Sequence, residues 1–123
     1  MAGENNLFHI DTIVADGKIL AFEDSSGMLS GAAGYKNDPK LSASGDDFVM
    51  RTRVPRQLKA KLQWGPQRST DEIRNMSGVQ ITMRDQVSKR KVIANNACFG
   101  ELGDIGGGTV DVTFLLLSDL QWL

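Results

Sequence analysis

The sequence predicts a mainly β domain with two hairpins and one short α-helix. Three observations support this: apolar and polar residues alternate in several segments, an Asp-Gly dipeptide separates two apolar pairs near the start, and a helix-capping pattern occurs once. A chain of 123 residues fits one domain that buries about two thirds of its unfolded surface. We therefore treat residues 1–123 as a single domain.

The alternation is clearest in three segments of the second half. Every second residue is apolar there, which places the apolar side chains on one face of a half-buried strand. A fourth strand is predicted over about 91–97, after the polar hairpin connection 85–90. The apolar faces comprise Leu58, Ala60, Leu62 and Trp64 in the first segment, Val79, Ile81 and Met83 in the second, and Val110, Val112 and Phe114 in the third.

A tight turn is predicted at Asp16-Gly17. The dipeptide lies between Ile13-Val14 and Ile19-Leu20, and it supplies the positive φ angles that two-residue hairpin loops require. The first two strands should therefore form a hairpin.

One helix is predicted over about 70–76. Ser69 and Glu72 have the spacing of a capping box, in which each side chain bonds the backbone of the other residue. Gly78 follows and suits the left-handed conformation that commonly ends a helix.

Segment 24–47 differs in kind from the rest of the chain. It is rich in Gly, Ser, Ala, Asp and Asn, so it has too few apolar residues to form a core of its own. A gap of this length is unusual inside a compact domain, so we expect a long hairpin or loop that becomes ordered on assembly with a partner. Its larger apolar residues are Met28, Leu29, Tyr35 and Leu41.

The C-terminal segment is too apolar for a free tail and too short to cross a bilayer. Residues 114–117 are expected in the core. Leu120, Trp122 and Leu123 lie beyond the last predicted strand, so 118–123 is expected to contact another subunit.

Charge and composition exclude several functions. Lys and Arg number 14 against 15 Asp and Glu, so the basic excess of a tight nucleic-acid binder is missing. Residues 1–8 lack the pattern of a secretory signal, and no apolar run reaches membrane-spanning length, so we expect synthesis and assembly in the cytoplasm and no membrane binding.

No catalytic, cofactor or metal site is predicted. His9 is the single histidine and Cys98 the single cysteine, so a multi-ligand metal site and a histidine-based nucleophile have little support. Cys98 is expected as a buried reduced thiol, and an intersubunit disulfide stays open as an alternative. Gly106-Gly107-Gly108 lacks the following Gly-Lys-Ser/Thr of a phosphate loop and is expected to be a hairpin loop. We therefore expect a non-enzyme.

In order along the chain, these elements resemble the tail tube proteins of contractile-tailed phages, in particular Mu-like phages. The pattern departs from the family at Asn96-Ala97-Cys98-Phe99, where the aromatic residue is displaced by one position. The matching parts are the strand pair through 48–64, the helix Asp71-Glu72-Ile73-Arg74-Asn75-Met76, and the strands 78–84, 91–97 and 108–114.

The resemblance implies a β-sandwich or barrel-like tail tube fold with long hairpins and one short α-helix, and a structural role. Two long hairpins would align with those of neighbours, giving rings of about six subunits around a continuous inner β-barrel. Stacked rings would form a tube inside a contractile sheath, in a phage virion assembled in the host cytoplasm, with tape-measure and baseplate proteins as further partners and DNA only passing through. The subunit-interface candidates are Met28, Leu29, Tyr35, Leu41, Phe48, Met50, Leu120, Trp122 and Leu123.

Two alternatives stay open. The same architecture serves as the inner tube of contractile injection systems, such as type VI secretion or R-type pyocins. From another class, a monomeric small β-barrel could bind an apolar ligand or an oligonucleotide, although aromatic residues make up only 7% of the chain.

Overall fold

A computed structural model describes residues 6–123, and these residues form ten strands and one short helix. The mainly β prediction is confirmed. The elements are β1 Thr12–Ala15, β2 Lys18–Leu20, β3 Met28–Ser30, β4 Tyr35–Lys40, β5 Phe48–Arg53, β6 Arg56–Gln63, α1 Thr70–Arg74, β7 Val79–Asp85, β8 Arg90–Leu102, β9 Thr109–Leu116 and β10 Leu120–Trp122.

The main sheet is antiparallel, with strand order β2-β1-β7-β8-β9-β6-β3, and β10 pairs with β8 outside this path. The long strand β8 first pairs with β7 and then with β9, with a register shift between Phe99 and Glu101. Gly100 lies at this irregularity, and a Cβ there would be 2.8 Å from the Thr113 carbonyl oxygen. Glycine thus permits the close approach at which β8 passes from one partner to the next.

The pairing path closes on itself. Just after β2, Phe22 forms a bridge with Leu62 of β6, and Glu23 N donates to Lys61 O at 2.8 Å. Gln63 N donates to Ala21 O at 2.9 Å. The path therefore returns from β6 to the chain after β2, which makes the domain barrel-like, as the family resemblance implied.

The core fills this barrel with the apolar residues that the alternation predicted. Trp64 and Val79 are the exceptions, since both lie at strand ends and pack only partly buried against the core. Burial of each large side chain contributes about 1.5–3 kcal/mol. The largest fully buried side chains include Phe114, Ile13, Leu58, Leu62, Ile73, Ile81, Met83, Val92, Val110 and Val112.

The predicted β1–β2 hairpin is present. Asp16 and Gly17 have φ angles of 52° and 77°, so both central residues of the turn have positive φ. This is the signature of the type I′ turn, whose twist matches that of the flanking strands.

The helix is shorter than predicted, and its capping box does not form. Ser69 is the N-cap residue, but its side chain makes no cap hydrogen bond. Glu72 instead pairs with Arg68, four residues earlier, with Nη1 to Oε1 at 2.9 Å. The ion pair removes the reciprocal partner of Ser69. Gly78 has φ +68°, but it lies three residues beyond the C-cap Asn75 and leads into β7.

Candidate assembly surface

A second, two-stranded sheet stands apart from the barrel. Within residues 6–123, β4 and β5 pair only with each other, from Tyr35 opposite Arg53 to Lys40 opposite Phe48. Every residue of β5 is exposed. We call this element, residues 35–53, the β4–β5 hairpin. An isolated two-stranded hairpin is only marginally stable in water, so its form depends on its base and on what covers it.

Both long edges of the β4–β5 hairpin are unpaired among the residues that the structure describes. Val54 N donates to Gly34 O at 3.0 Å. Gly34 and Val54 therefore form a hydrogen-bonded pair immediately before the pair Tyr35 and Arg53. Hydrogen-bonded and non-hydrogen-bonded pairs alternate in antiparallel sheets, so the backbone groups of Asn37 and Arg51 point outward from their strands. The same alternation points the nitrogen of Pro39 outward, where its missing N–H removes no bond within the hairpin.

The hairpin also exposes apolar side chains that a monomer leaves in water. Leu41 is 81% exposed, Phe48 67% and Met50 53%. Tyr35 and Val49 are exposed as well. The predicted interface residues Tyr35, Leu41, Phe48 and Met50 therefore share one projecting element, and subunit contact by them stays a prediction.

Charge is unequal on the two faces of the hairpin, because residues opposite each other share a face. One face carries Asn37, Arg51 and Arg53, with the Arg51 guanidinium 4.2 Å from the centre of the Tyr35 ring. The opposite face carries one acid and two bases. Its members are Lys36, Asp38, Lys40, Phe48, Met50 and Thr52.

The hairpin is anchored to the barrel by close packing at its base. Gly31 and Gly34 have φ angles of +64° and +79°. A Cβ on Gly31 would overlap the carbonyl oxygen of Pro55, and one on Gly34 would overlap the guanidinium of Arg56. The Arg56 side chain is only 10% exposed, and it pairs with Asp119 after β9. The direction of the hairpin is therefore set by two left-handed glycines, of which Gly31 faces backbone that cannot move aside and Gly34 faces the end of the Arg56 side chain.

The predicted segment 24–47 belongs to two sheets. β3 is part of the main sheet, where Leu29 lies opposite Leu58 and packs against the core, while Met28 is 63% exposed. The rest of the segment leads into β4 and the loop 41–47. Ordering of 24–47 by assembly stays a prediction.

The C-terminal expectation needs correction, because 118–123 contains another strand. β10 pairs with β8, from Leu120 opposite Ala94 to Trp122 opposite Val92. Leu120 packs against the core, so it does not lie beyond the last strand as the sequence analysis assumed. Strand signals fail for segments as short as three residues, since they hold too few positions to show alternation.

Trp122 has partners within its own chain. Its ring meets that of Phe8 edge-on, with centroids 5.2 Å apart, and the Arg90 guanidinium lies 4.8 Å from its centroid. Trp122 and Leu123 nevertheless remain 41% and 52% exposed, so each retains surface for a neighbour. The predicted burial of 114–117 is wrong for Leu117, which is 55% exposed just after β9 ends.

One buried carboxylate was missed by the sequence analysis. Asp85 accepts hydrogen bonds from His9 N at 3.0 Å, Ser88 Oγ at 2.7 Å and Val87 N at 3.0 Å. These bonds, that of His9 first, hold the pKa of Asp85 below its usual range despite burial. The sequence did contain a signal for this carboxylate: Ser88 follows Asp85 by three residues in a predicted hairpin connection. Short polar side chains in such connections commonly hydrogen-bond to each other and to the turn backbone.

Potential metal ligands are scattered in the part of the chain that the structure describes. Among residues 6–123, no three or more His, Cys, Asp or Glu side chains are grouped to hold a metal ion. His9 lies 3.6 Å from Asp24 at the surface, and Cys98 is half-buried as a free thiol. The loop 106–108 is exposed and joins β8 to β9 as a hairpin connection. No helix in this part of the chain is long and apolar enough to span a membrane.

Comparison with known proteins gives matches in structure but not in sequence. No protein-family model and no curated protein matches the chain. A chain of the extended sheath–tube complex of PVC, an extracellular contractile injection system, matches with TM-score 0.65 and 12% identity, over 96% of this chain and 90% of that one. A chain of the cap that terminates the tube of the anti-feeding prophage matches with TM-score 0.62 and 11% identity, over 100% of this chain and 99% of that one. The protein therefore shares the fold found in these two assemblies.

Proposed function

We propose that this protein is the structural subunit of a tube in a contractile tail-type particle, and that it has no enzymatic role. The observation that carries the proposal is the β4–β5 hairpin, which exposes two unpaired strand edges and apolar side chains on both of its faces. Proteins normally shield such edges, since they pair with any available strand. A subunit whose working state is a polymer can leave them open.

The two edges can pair with each other across subunits. β4 of one copy would add to β5 of the next, and repetition of this contact around an axis would close a ring whose inner wall is a continuous β-barrel. The edge of β4 lacks one donor at Pro39, whereas Val49, Arg51 and Arg53 keep theirs on β5. We propose about six copies per ring, with rings stacked into a tube.

The surroundings of such a tube follow from the same proposal. A sheath would enclose it, and tape-measure and baseplate proteins would set its length and its origin. In a phage virion, the tube would conduct DNA during genome ejection. The inner tube of an injection system is the second candidate, and it is favoured by the fold found in the PVC and anti-feeding prophage assemblies.

A proline substitution tests the edge pairing directly. Arg51→Pro removes an N–H that points away from β4, so the hairpin keeps its own hydrogen bonds while the outer edge of β5 loses a central donor. Arg51→Thr is the matched control, because it removes the same side chain and retains the N–H. Assembly is followed by negative-stain microscopy and sedimentation, and folding by circular dichroism.

We expect the wild type and Arg51→Thr to form rings or tubes, and Arg51→Pro to stay folded while its critical concentration for assembly rises at least about tenfold. Val49→Pro, at the position opposite Pro39, should have the same effect on assembly. It tests the edge pairing independently if Arg51→Pro does not fold. A wild-type chain that remains monomeric at high concentration would refute the tube. Assembly of both proline variants like the wild type would refute edge pairing.

A further inference from the structure

A groove at the end of the barrel, which we call the Trp122 groove, has an apolar floor and one basic border. It has a volume of about 320 Å³ and lies between the N-terminal segment, the residues around β3, and β10. Met28 and Trp122 remain partly exposed at its rim. Its apolar lining consists of Phe8, Ile10, Met28, Leu29, Ala32 and Trp122.

The basic border is the turn between β7 and β8. A second recess of about 360 Å³ opens there among Arg84, Lys89, Arg90 and Lys91. Arg90 links it to the groove, because its guanidinium lies over the Trp122 ring. Two carboxylates also belong to this region: buried Asp85, and Asp11, which accepts from Gln86 N at 2.8 Å. Four cations against two carboxylates leave this border positive, while the exposed carboxylate of Asp24 lies 3.6 Å from groove-lining His9.

The tip of the β4–β5 hairpin has the complementary composition. Residues 41–48 contain the exposed apolar side chains of Leu41 and Phe48 beside the exposed carboxylates of Asp46 and Asp47. This segment contains no cation, although Lys40 precedes it. It therefore offers an apolar surface with an acidic neighbour, whereas the Trp122 groove offers an apolar surface with a basic neighbour.

The tip cannot reach the groove of its own chain. Ala32, which lines the groove, lies at the base of the hairpin, and six residues of strand hold the tip about 20 Å away from that base. We infer that the hairpin tip of one copy docks in the Trp122 groove of a second copy, with Asp46 and Asp47 against the β7–β8 turn. The contact is heterologous, since it joins two different patches, and such contacts propagate into rings or filaments.

This inference rests on the proposed tube, and it adds a second contact to the pairing of strand edges. Opposite charges at a partly desolvated interface favour assembly and set its register, and they make it sensitive to salt. Leu41 and Phe48 supply apolar burial at the same place. One protein thus carries both halves of the contact.

Reciprocal charge reversal tests the contact. One variant carries Asp46→Lys and Asp47→Lys, another carries Arg84→Glu and Lys89→Glu, and a third combines all four changes. The critical concentration for assembly is measured by sedimentation at several salt concentrations, with circular dichroism as the control for folding. We expect each reversed variant to assemble about tenfold less readily than wild type at low salt, and the combined variant to recover most of this loss.

Leu41→Asn probes the apolar part without adding charge, with Ile19→Asn on the exposed side of β2 as the matched control, because both residues are more than 70% exposed in the monomer. We expect Leu41→Asn alone to weaken assembly. If the wild type assembles and the reversed variants assemble equally well, or if the combined variant shows no recovery, the docking is wrong while the tube stands. A wild type that never assembles refutes the tube itself.

Discussion

Gly31→Ala should uncouple the β4–β5 hairpin from the barrel. Gly31 has φ +64°, and an added Cβ would overlap the carbonyl oxygen of Pro55, which is backbone and cannot rotate away. Gly17→Ala is the matched control, because Gly17 has φ +77° and nothing within 4 Å of the added Cβ. The backbone strain of a left-handed alanine, about 1–2 kcal/mol, is common to both variants.

The overlap adds a cost to Gly31→Ala alone. Forcing an extra carbon into a closely packed site costs about 1–3 kcal/mol. For a domain of this size each kcal/mol lowers the melting temperature by about 3–6 °C, so Gly31→Ala should melt about 5–10 °C below Gly17→Ala. The assay is thermal unfolding by circular dichroism, at a concentration where wild type is monomeric, followed by an assembly assay. Equal melting temperatures would show that the base of the hairpin is not closely packed, and our account of its direction would then fail.

Three further outcomes are expected. Trp122→Ala should lower the free energy of unfolding of the monomer by about 1–3 kcal/mol, because it loses the edge contact with Phe8 and the stacking of Arg90. Denaturant unfolding measures this loss, and an unchanged free energy of unfolding would show that these contacts do not stabilise the monomer. Asp85 has a lowered pKa, so its stabilisation is present above the usual carboxyl range and is lost as pH falls through the folded-state value. Asp85→Asn should therefore melt below wild type at pH 7, and the gap should narrow as the pH falls below the ordinary carboxyl range; a constant gap would contradict this. The outward-facing amides of β4 and β5 should exchange rapidly in the monomer and slowly in the assembly; equal rates in both states would argue against edge pairing.

The parts of the fold that the sequence predicted are those whose causes are local. Alternation located β6, β7 and β9, because their apolar side chains face one core, and Asp16-Gly17 located a turn that needs positive φ at both positions. The capping box failed through a competing local partner, since Arg68 pairs with Glu72. Recognition of a motif does not show which of two interactions its residues will make.

The candidate site was predicted as a region, and its geometry was not. Composition marked 24–47 as unable to form its own core, yet it could not show that β3 joins the barrel while β4 leaves it. The short strand β10 was not predicted for a related reason. It forms by pairing with β8, and a segment of three residues carries no local pattern that predicts such a long-range contact. The Trp122 groove likewise combines segments from both ends of the chain, which no local pattern brings together.

Cryo-electron microscopy of the assembled wild-type protein, at a resolution that separates strands, would show whether the hairpins of neighbouring subunits pair. We predict rings whose inner wall is a continuous sheet, with β4 of each subunit hydrogen-bonded to β5 of the next through the backbone of Asn37 and Arg51. Rings in which the β4–β5 hairpins stay apart, or a particle whose contacts leave both edges of the hairpin in solvent, would contradict it.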